Sequence, residues 1–292
     1  INKKKLMIKK LTIPIIIIII FLFLGCSSMK IKENVERKLQ TLPLTESIVI
    51  IEENENIVLG NDDVKIGMFE INDGGLTFDC SYEKVKNIAK QKARIFGGNS
   101  VKIIEHKLPN TWSTCHRIKF IVYKLSNTEN YQTEIVWSKK NTLKWELFKG
   151  IPKVDKSSFF CGYIDVEFNE MNFPKGKGKA DITPIFLFDC SYVQPLKKNK
   201  YLLDYNQVKF DLLEFYSRKM RSEFQKSNIN SEDKWLKFAK KIYDNIYKEY
   251  ETDLFNLETE TNFGEDYSRL LSWKFKSDEN LNKSKEFSTE NY

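Results

Sequence analysis

The sequence predicts an α+β protein: a small β-α-β-β domain followed by a second α+β domain with a short-stranded sheet and two or three long helices. Three observations carry this reading. Short runs rich in β-branched residues and bounded by turn signals recur at 48–51, 65–70, 101–105 and 117–123. Apolar side chains spaced three or four apart mark helices over Tyr82 to Phe96, Leu202 to Arg221, and Trp235 to Tyr250. A polar stretch, 126–133, separates the two groups and reads as a linker.

Residues 1–25 read as a signal peptide, outside the fold. Lys3, Lys4, Lys5, Lys9 and Lys10 form a positive n-region ahead of an apolar run of 14 residues, Leu11 to Leu24. That run is shorter than the roughly 20 residues of a membrane-spanning helix. It ends Phe21-Leu22-Phe23-Leu24-Gly25-Cys26, which resembles a bacterial lipobox, with Phe23 where leucine is more usual. The resemblance implies that Cys26 carries lipid and anchors the chain to a membrane of the cell envelope. An ordinary signal peptide or an uncleaved anchor is the alternative. Residues 26–46, polar and charged, then serve as a tether between lipid and fold.

Processing also changes the charge argument. The chain carries a net +7, but loss of the leader's five lysines leaves 42 basic against 40 acidic residues, a net +2. Near balance gives no warrant for a nucleic-acid partner.

The first domain spans 47–125. Ile48 to Ile51 and Lys65 to Glu70 are strands, and Asn72-Asp73-Gly74-Gly75 is a turn. In the helix that follows, Val85, Ile88, Ala89, Ala93 and Phe96 form the buried stripe, Ser81 can cap it, and Gly97-Gly98-Asn99 stops it. Strands at Val101 to Glu105 and Arg117 to Tyr123 complete the unit. A cysteine before the helix and another just before the last strand make it similar to small domains of bacterial envelope lipoproteins such as the Rcs stress-sensor lipoprotein.

Both histidines of the chain, His106 and His116, fall in this domain. They admit two readings. With Cys115 they are a weak candidate metal site, because imidazole and thiolate suit zinc or copper. Otherwise Cys115 is a disulfide partner and the histidines hydrogen-bond locally, since two histidines fall short of the usual zinc ligand set. Setting Cys26 aside leaves Cys80, Cys115, Cys161 and Cys190, which allow three connectivities. The domain division favours Cys80 with Cys115 and Cys161 with Cys190; free thiols are the alternative.

The second domain spans 134–276, with strands near Phe159 to Phe168 and Ile182 to Phe188. Between them, Phe173 to Lys179 is a Gly/Lys-rich turn without the spacing of a phosphate-binding loop. Two helices follow. The first carries its apolar stripe at Tyr205, Val208, Leu212, Phe215, Tyr216 and Met220. The second is capped by Ser231, with a stripe from Trp235 to Tyr250. Residues 277–292 are charged and polar and read as a disordered tail.

The first of these helices, LLDYNQVKFDLLEFYSRKMR, resembles the active-site helix of a bacterial family of secreted zinc peptidases that reads roughly L-L-x-H-E-Q-x-H-F-D-I-x-E-L-Y-x-R. Leu202, Leu203, Gln207, Phe210, Asp211, Glu214, Tyr216 and Arg218 match in register. Trp137, Leu143, Trp145, Phe148, Gly150 and Pro152 resemble the family's entry segment, and Glu260 to Gly264 with Trp273 a downstream E-T-x-H-G…W segment. In such a helix, histidines at i and i+4 bind zinc while the glutamate activates the metal-bound water. Here those three positions are Tyr205, Asn206 and Lys209, and the downstream histidine position is Phe263. Tyrosine is a poor zinc ligand, asparagine cannot accept the proton, and a lysine ammonium repels the cation.

These departures imply a chain without catalytic residues or a bound cofactor, whose peptidase-like domain has become a binding or scaffolding module. Its partners would then be the membrane, through Cys26, and another envelope protein. A surviving hydrolase is the second reading, resting on the carboxylates Asp204, Asp211 and Glu214, although helix acids of this kind are usually solvated. An envelope stress sensor built on the Cys80–Cys115 pair is the third. The first reading expects the rings of Tyr205 and Phe263 to fill the former metal site.

Overall fold

A computed structural model of the chain describes residues 29–75, 80–154, 156–168, 180–227, 229 and 232–291. The leader, Cys26, the Gly/Lys-rich turn and Ser231 lie outside them. The chain divides into two compact units. Unit 1 holds the residues up to Leu42 together with Ile48–Tyr131, and unit 2 holds Pro43–Ser47 and Gln132–Tyr292. The α+β expectation holds: short strands and long helices coexist.

Unit 1 is a five-stranded sheet of order β1-β3-β5-β4-β2, built from β1 (Lys30–Val35), β2 (Val49–Ile51), β3 (Val64–Asn72), β4 (Ser100–Lys107) and β5 (Arg117–Lys124). β2 runs parallel to β4, and the other pairs are antiparallel. Helix α1 (Tyr82–Ile95) buries Val85, Ala89 and Ala93. Their small or branched side chains share one core with Phe69, Val101, Ile103 and Phe120. Phe69 and Phe120 stack 5.4 Å apart across paired strands, both fully buried. Each such ring contributes about 1.5–3 kcal/mol of transfer free energy.

Two expectations for this half of the chain are corrected. Residues 30–35 are not tether but the edge strand β1, paired with β3 from Lys30↔Asn72 to Val35↔Gly67. Pairing uses backbone groups, so a strand whose side chains are nearly all exposed leaves no apolar period to read. Gly67 permits the approach, since a Cβ there would lie 2.5 Å from the Asn34 carbonyl oxygen. Downstream, the amides of Leu39 and Leu42 bond to the Phe96 and Arg94 carbonyls. Nor is 126–133 a free linker. Ser126 bonds Asp63 through both its amide and its hydroxyl, and the Tyr131 hydroxyl accepts from the Val58 amide at 3.1 Å. These bonds keep the chain on unit 1 as far as Tyr131.

Unit 2 joins a three-stranded antiparallel sheet of order β6-β9-β8 and a two-stranded pair β10-β7 to three helices. The strands are β6 (Glu134–Val136), β7 (Ser158–Phe159), β8 (Gly162–Phe168), β9 (Ala180–Leu187) and β10 (Tyr192–Val193). The helices are α2 (Lys200–Lys226), α3 (Glu232–Glu260) and α4 (Tyr267–Lys283). Asn199 caps α2 by accepting from the Leu202 amide at 2.9 Å, and Asp266 caps α4 by accepting from Arg269. α2 is the central helix, buried on most of its circumference. Its neighbours are β8, β9, α3 and α4.

The expected disordered tail is also corrected. α4 runs on to Lys283, and single 3₁₀ turns follow at Lys285–Phe287 and Thr289–Asn291. Thr289 is fully buried. Polar residues hold this end by hydrogen bonds, not by an apolar stripe, so hydropathy does not reveal it.

One disulfide closes in each unit. Cys80 bonds Cys115 with Cα atoms 5.0 Å apart, and Cys161 bonds Cys190 at 5.7 Å. These are the pairs the domain division favours. Two disulfides point to an oxidising, extracytoplasmic compartment. Among the described residues no helix is long and apolar enough to cross a membrane.

Candidate functional site

Tyr205, Lys209 and Phe263, three of the four positions at which the peptidase resemblance places metal or catalytic groups, converge on one cleft of unit 2. Tyr205 and Lys209 come from α2, one turn apart on the same face. Glu258 enters from the last turn of α3, Phe263 and Glu265 from the turn joining α3 to α4, and Lys156, Ser158 and Phe159 from the segment entering β7. The cleft encloses about 220 Å³.

The Lys209 Nζ donates to Glu258 Oε1 at 2.7 Å and lies 4.5 Å from the centre of the Tyr205 ring. Both groups are mostly enclosed, with side-chain exposures of 8% for Lys209 and 25% for Glu258. Burial pulls the Lys209 ammonium below its ordinary pKa, and Lys156 adds to this; Glu258 opposes it. The Tyr205 hydroxyl is pushed well above its usual range, by burial first and Glu258 second. It has no hydrogen-bond partner among the described residues. Asn206 is fully buried. Its Nδ2 donates to the Leu202 carbonyl at 2.7 Å and to Ser158 Oγ at 3.0 Å, while its Oδ1 has no partner among the described residues.

A zinc ion does not fit here. The cation would meet the Lys209 ammonium, and the lining offers no imidazole or thiolate, only hydroxyls, an amide and the two carboxylates Glu258 and Glu265, the first already in an ion pair. Among the described residues no group of three or more His, Cys, Asp or Glu side chains could hold a metal.

The expectation that rings fill the site holds only in part. Tyr205 is buried, but Phe263 is 55% exposed and the cleft stays open. Local backbone explains the difference. After α3 the chain turns through Asn262, Phe263 and Gly264 at φ of 46°, 56° and 90°, and the Phe263 amide bonds back to the Glu258 carbonyl at 2.8 Å. Gly264 then lies flat on Tyr205: a Cβ there would come within 2.7 Å of the ring. Phe263 is thereby held at the rim, where it cannot enter.

The three carboxylates of the hydrolase reading are engaged elsewhere. Asp204 pairs with Lys200 and Lys274. Asp211 accepts from Trp137 Nε1 at 2.8 Å and from Gln207 Nε2 at 2.9 Å, while the Gln207 Oε1 accepts from the Leu143 amide. Burial raises the Asp211 carboxyl to about 6 despite these bonds. Glu214 is fully buried; it accepts from Arg218 Nε at 2.7 Å, the Thr289 amide at 3.0 Å and the Thr289 hydroxyl at 2.6 Å, with Arg221 Nη2 3.3 Å away. Asp211 and Glu214 are therefore enclosed, not solvated as helix acids commonly are. For Glu214 the arginines at i+4 and i+7, Arg218 and Arg221, were the available signal.

In unit 1, His106 Nε2 and His116 Nδ1 are 2.9 Å apart and hydrogen-bond each other. Tyr82 stacks on His106 at 4.0 Å between ring centres, and the Tyr82 hydroxyl donates to Glu52. Burial, then the neighbouring His116, lowers the His106 pKa. The disulfide consumes the Cys115 thiol, so the weak metal reading loses that ligand.

Comparison with known proteins adds no relative: no family model, curated protein or solved structure matches this chain.

Proposed function

We propose that this chain is a lipid-anchored envelope lipoprotein whose second unit is a non-catalytic binding module laid out on a zinc-peptidase-like plan. The observation that carries the reading is the Lys209–Glu258 ion pair, which stands where that plan needs a metal-binding histidine. The ammonium repels a cation and already occupies the Glu258 carboxylate, so the pair disfavours the return of a metal. Two further features support the setting: the Gly25-Cys26 motif for lipid attachment, and the disulfides for export from the cytoplasm.

The test is metal analysis of the full-length chain, extracted from membranes in detergent without chelator. The expected result is far less than one zinc per chain. About one tightly bound zinc that survives a His106→Ala/His116→Ala double substitution would overturn the reading, since it must then sit in unit 2. Fractionation tests the anchor. Cys26→Ser should move the protein out of the membrane fraction, and full retention there would refute lipid attachment at Cys26.

A further inference from the structure

We infer that the unit 2 cleft binds a small zwitterion bearing an apolar side chain, the chemical class of free amino acids and short peptides. This rests on the non-catalytic reading and names its ligand. The charges facing the cleft balance: Lys156 and Lys209 against Glu258 and Glu265. A phosphate site would show excess positive charge and a cation site excess carboxylate. Two groups of each sign suit a ligand carrying both a carboxylate and an ammonium.

At the floor, an ammonium has three N–H groups, and the Lys209 hydrogen bond among the described residues goes to Glu258. The Tyr205 hydroxyl beside it is buried and unpartnered. Buried polar groups are nearly always satisfied in native proteins, so the N–H capacity that Lys209 has left on the cleft wall marks a place for a ligand oxygen.

The rim supplies the apolar contact. Phe159 and Phe263 are 38% and 55% exposed. Phe263 stands at φ 56°, next to Asn262 at φ 46°, in the left-handed region that a bulky side chain rarely adopts. An exposed ring returns little folding energy for that strain. Glycine at this position would relax the backbone, so the ring has a use in contact with something else. The volume agrees with a ligand of one or two residues. About 220 Å³ exceeds the roughly 150 Å³ of an engineered cavity that admits benzene.

Isothermal titration of the full-length chain in detergent tests this, with L-phenylalanine, L-phenylalanyl-L-alanine and the uncharged N-acetyl-L-phenylalaninamide as probes. At least one zwitterion should bind saturably, with the uncharged probe at least about tenfold weaker. Phe263→Gly should weaken the zwitterion at least about fivefold while its thermal midpoint stays equal or rises, which separates lost contact from lost fold. No saturable binding of either zwitterion up to about 10 mM would overturn the inference, as would equal binding of the uncharged probe. Mass spectrometry of the dipeptide after incubation separates the two claims: released phenylalanine would refute the non-catalytic reading, whereas an intact dipeptide that does not bind would refute only the ligand.

Discussion

Helix α2 carries two sets of enclosed ion pairs little more than a turn apart, and their surroundings differ. Around Glu214 every charged group has several partners. Arg218 reaches Glu214, the Leu281 carbonyl and Ser288, and Arg221 reaches the Ile182 and Phe287 carbonyls and Thr289. Around Lys209 there is one carboxylate, with an unpartnered hydroxyl and an unpartnered amide oxygen on the adjacent residues. The first set is closed and fastens the C-terminal turns to the helix. The second is incomplete and opens on a cleft. Saturation thus separates a buried network that holds architecture from one with capacity left for a ligand.

The largest test of that contrast is Glu214→Ala, which leaves two buried guanidinium groups without their carboxylate. A loss of about 3–5 kcal/mol is expected in urea unfolding. A loss under about 1 kcal/mol would mean the closed set is not structural.

Asp211 lies between the two sets and sharpens the comparison through pH. Its folded pKa of about 6 stands above the ordinary 3.8, so between those values the folded state binds more protons than the unfolded one. Stability contributed by this group is therefore full below about pH 4 and lost as pH rises through 6. Asp211→Asn keeps an acceptor for Trp137 and Gln207 and removes the titration. The difference between wild type and variant should change by on the order of 2–3 kcal/mol from pH 4 to pH 7, in favour of the variant at the higher pH. A difference that is flat with pH would show that Asp211 ionises freely.

Thr289→Val keeps the shape but removes the hydroxyl that donates to Glu214 and accepts from Arg221. A cost of about 1–3 kcal/mol is expected, read from the same unfolding curves. If the cost is nil, the last turn is not part of the closed set.

The smallest effect belongs to the open set. Lys209→Met replaces a desolvated ammonium by an apolar chain of similar length, while Glu258, one quarter exposed, can turn to water in the cleft. Stability should move by less than about 1 kcal/mol in either direction. A loss as large as that of Glu214→Ala would erase the distinction between the two sets.

Local signals in the chain were enough for much of the fold. The period of the apolar residues marked α1, α2 and most of α3. The short β-branched runs marked β2 to β5, and the division into domains anticipated Cys80–Cys115 and Cys161–Cys190. The peptidase resemblance also implied that Tyr205, Lys209 and Phe263 share one site, and the three line one cleft. The helices and strands among these features depend on side chains that repeat along a single segment, which is the information a sequence carries directly.

Other elements had no such signature. β1 pairs through its backbone and exposes its charges. The C-terminal turns are held by guanidinium groups 66 to 70 residues upstream. The cleft stays open because Glu258, on another helix, meets Lys209, and because a left-handed turn keeps Phe263 at the rim. Sequence by itself determined the class of each element and the absence of a histidine ligand set in unit 2. Only the tertiary structure decided which buried charges close on one another and which remain incomplete, because that depends on distances between segments far apart in the chain.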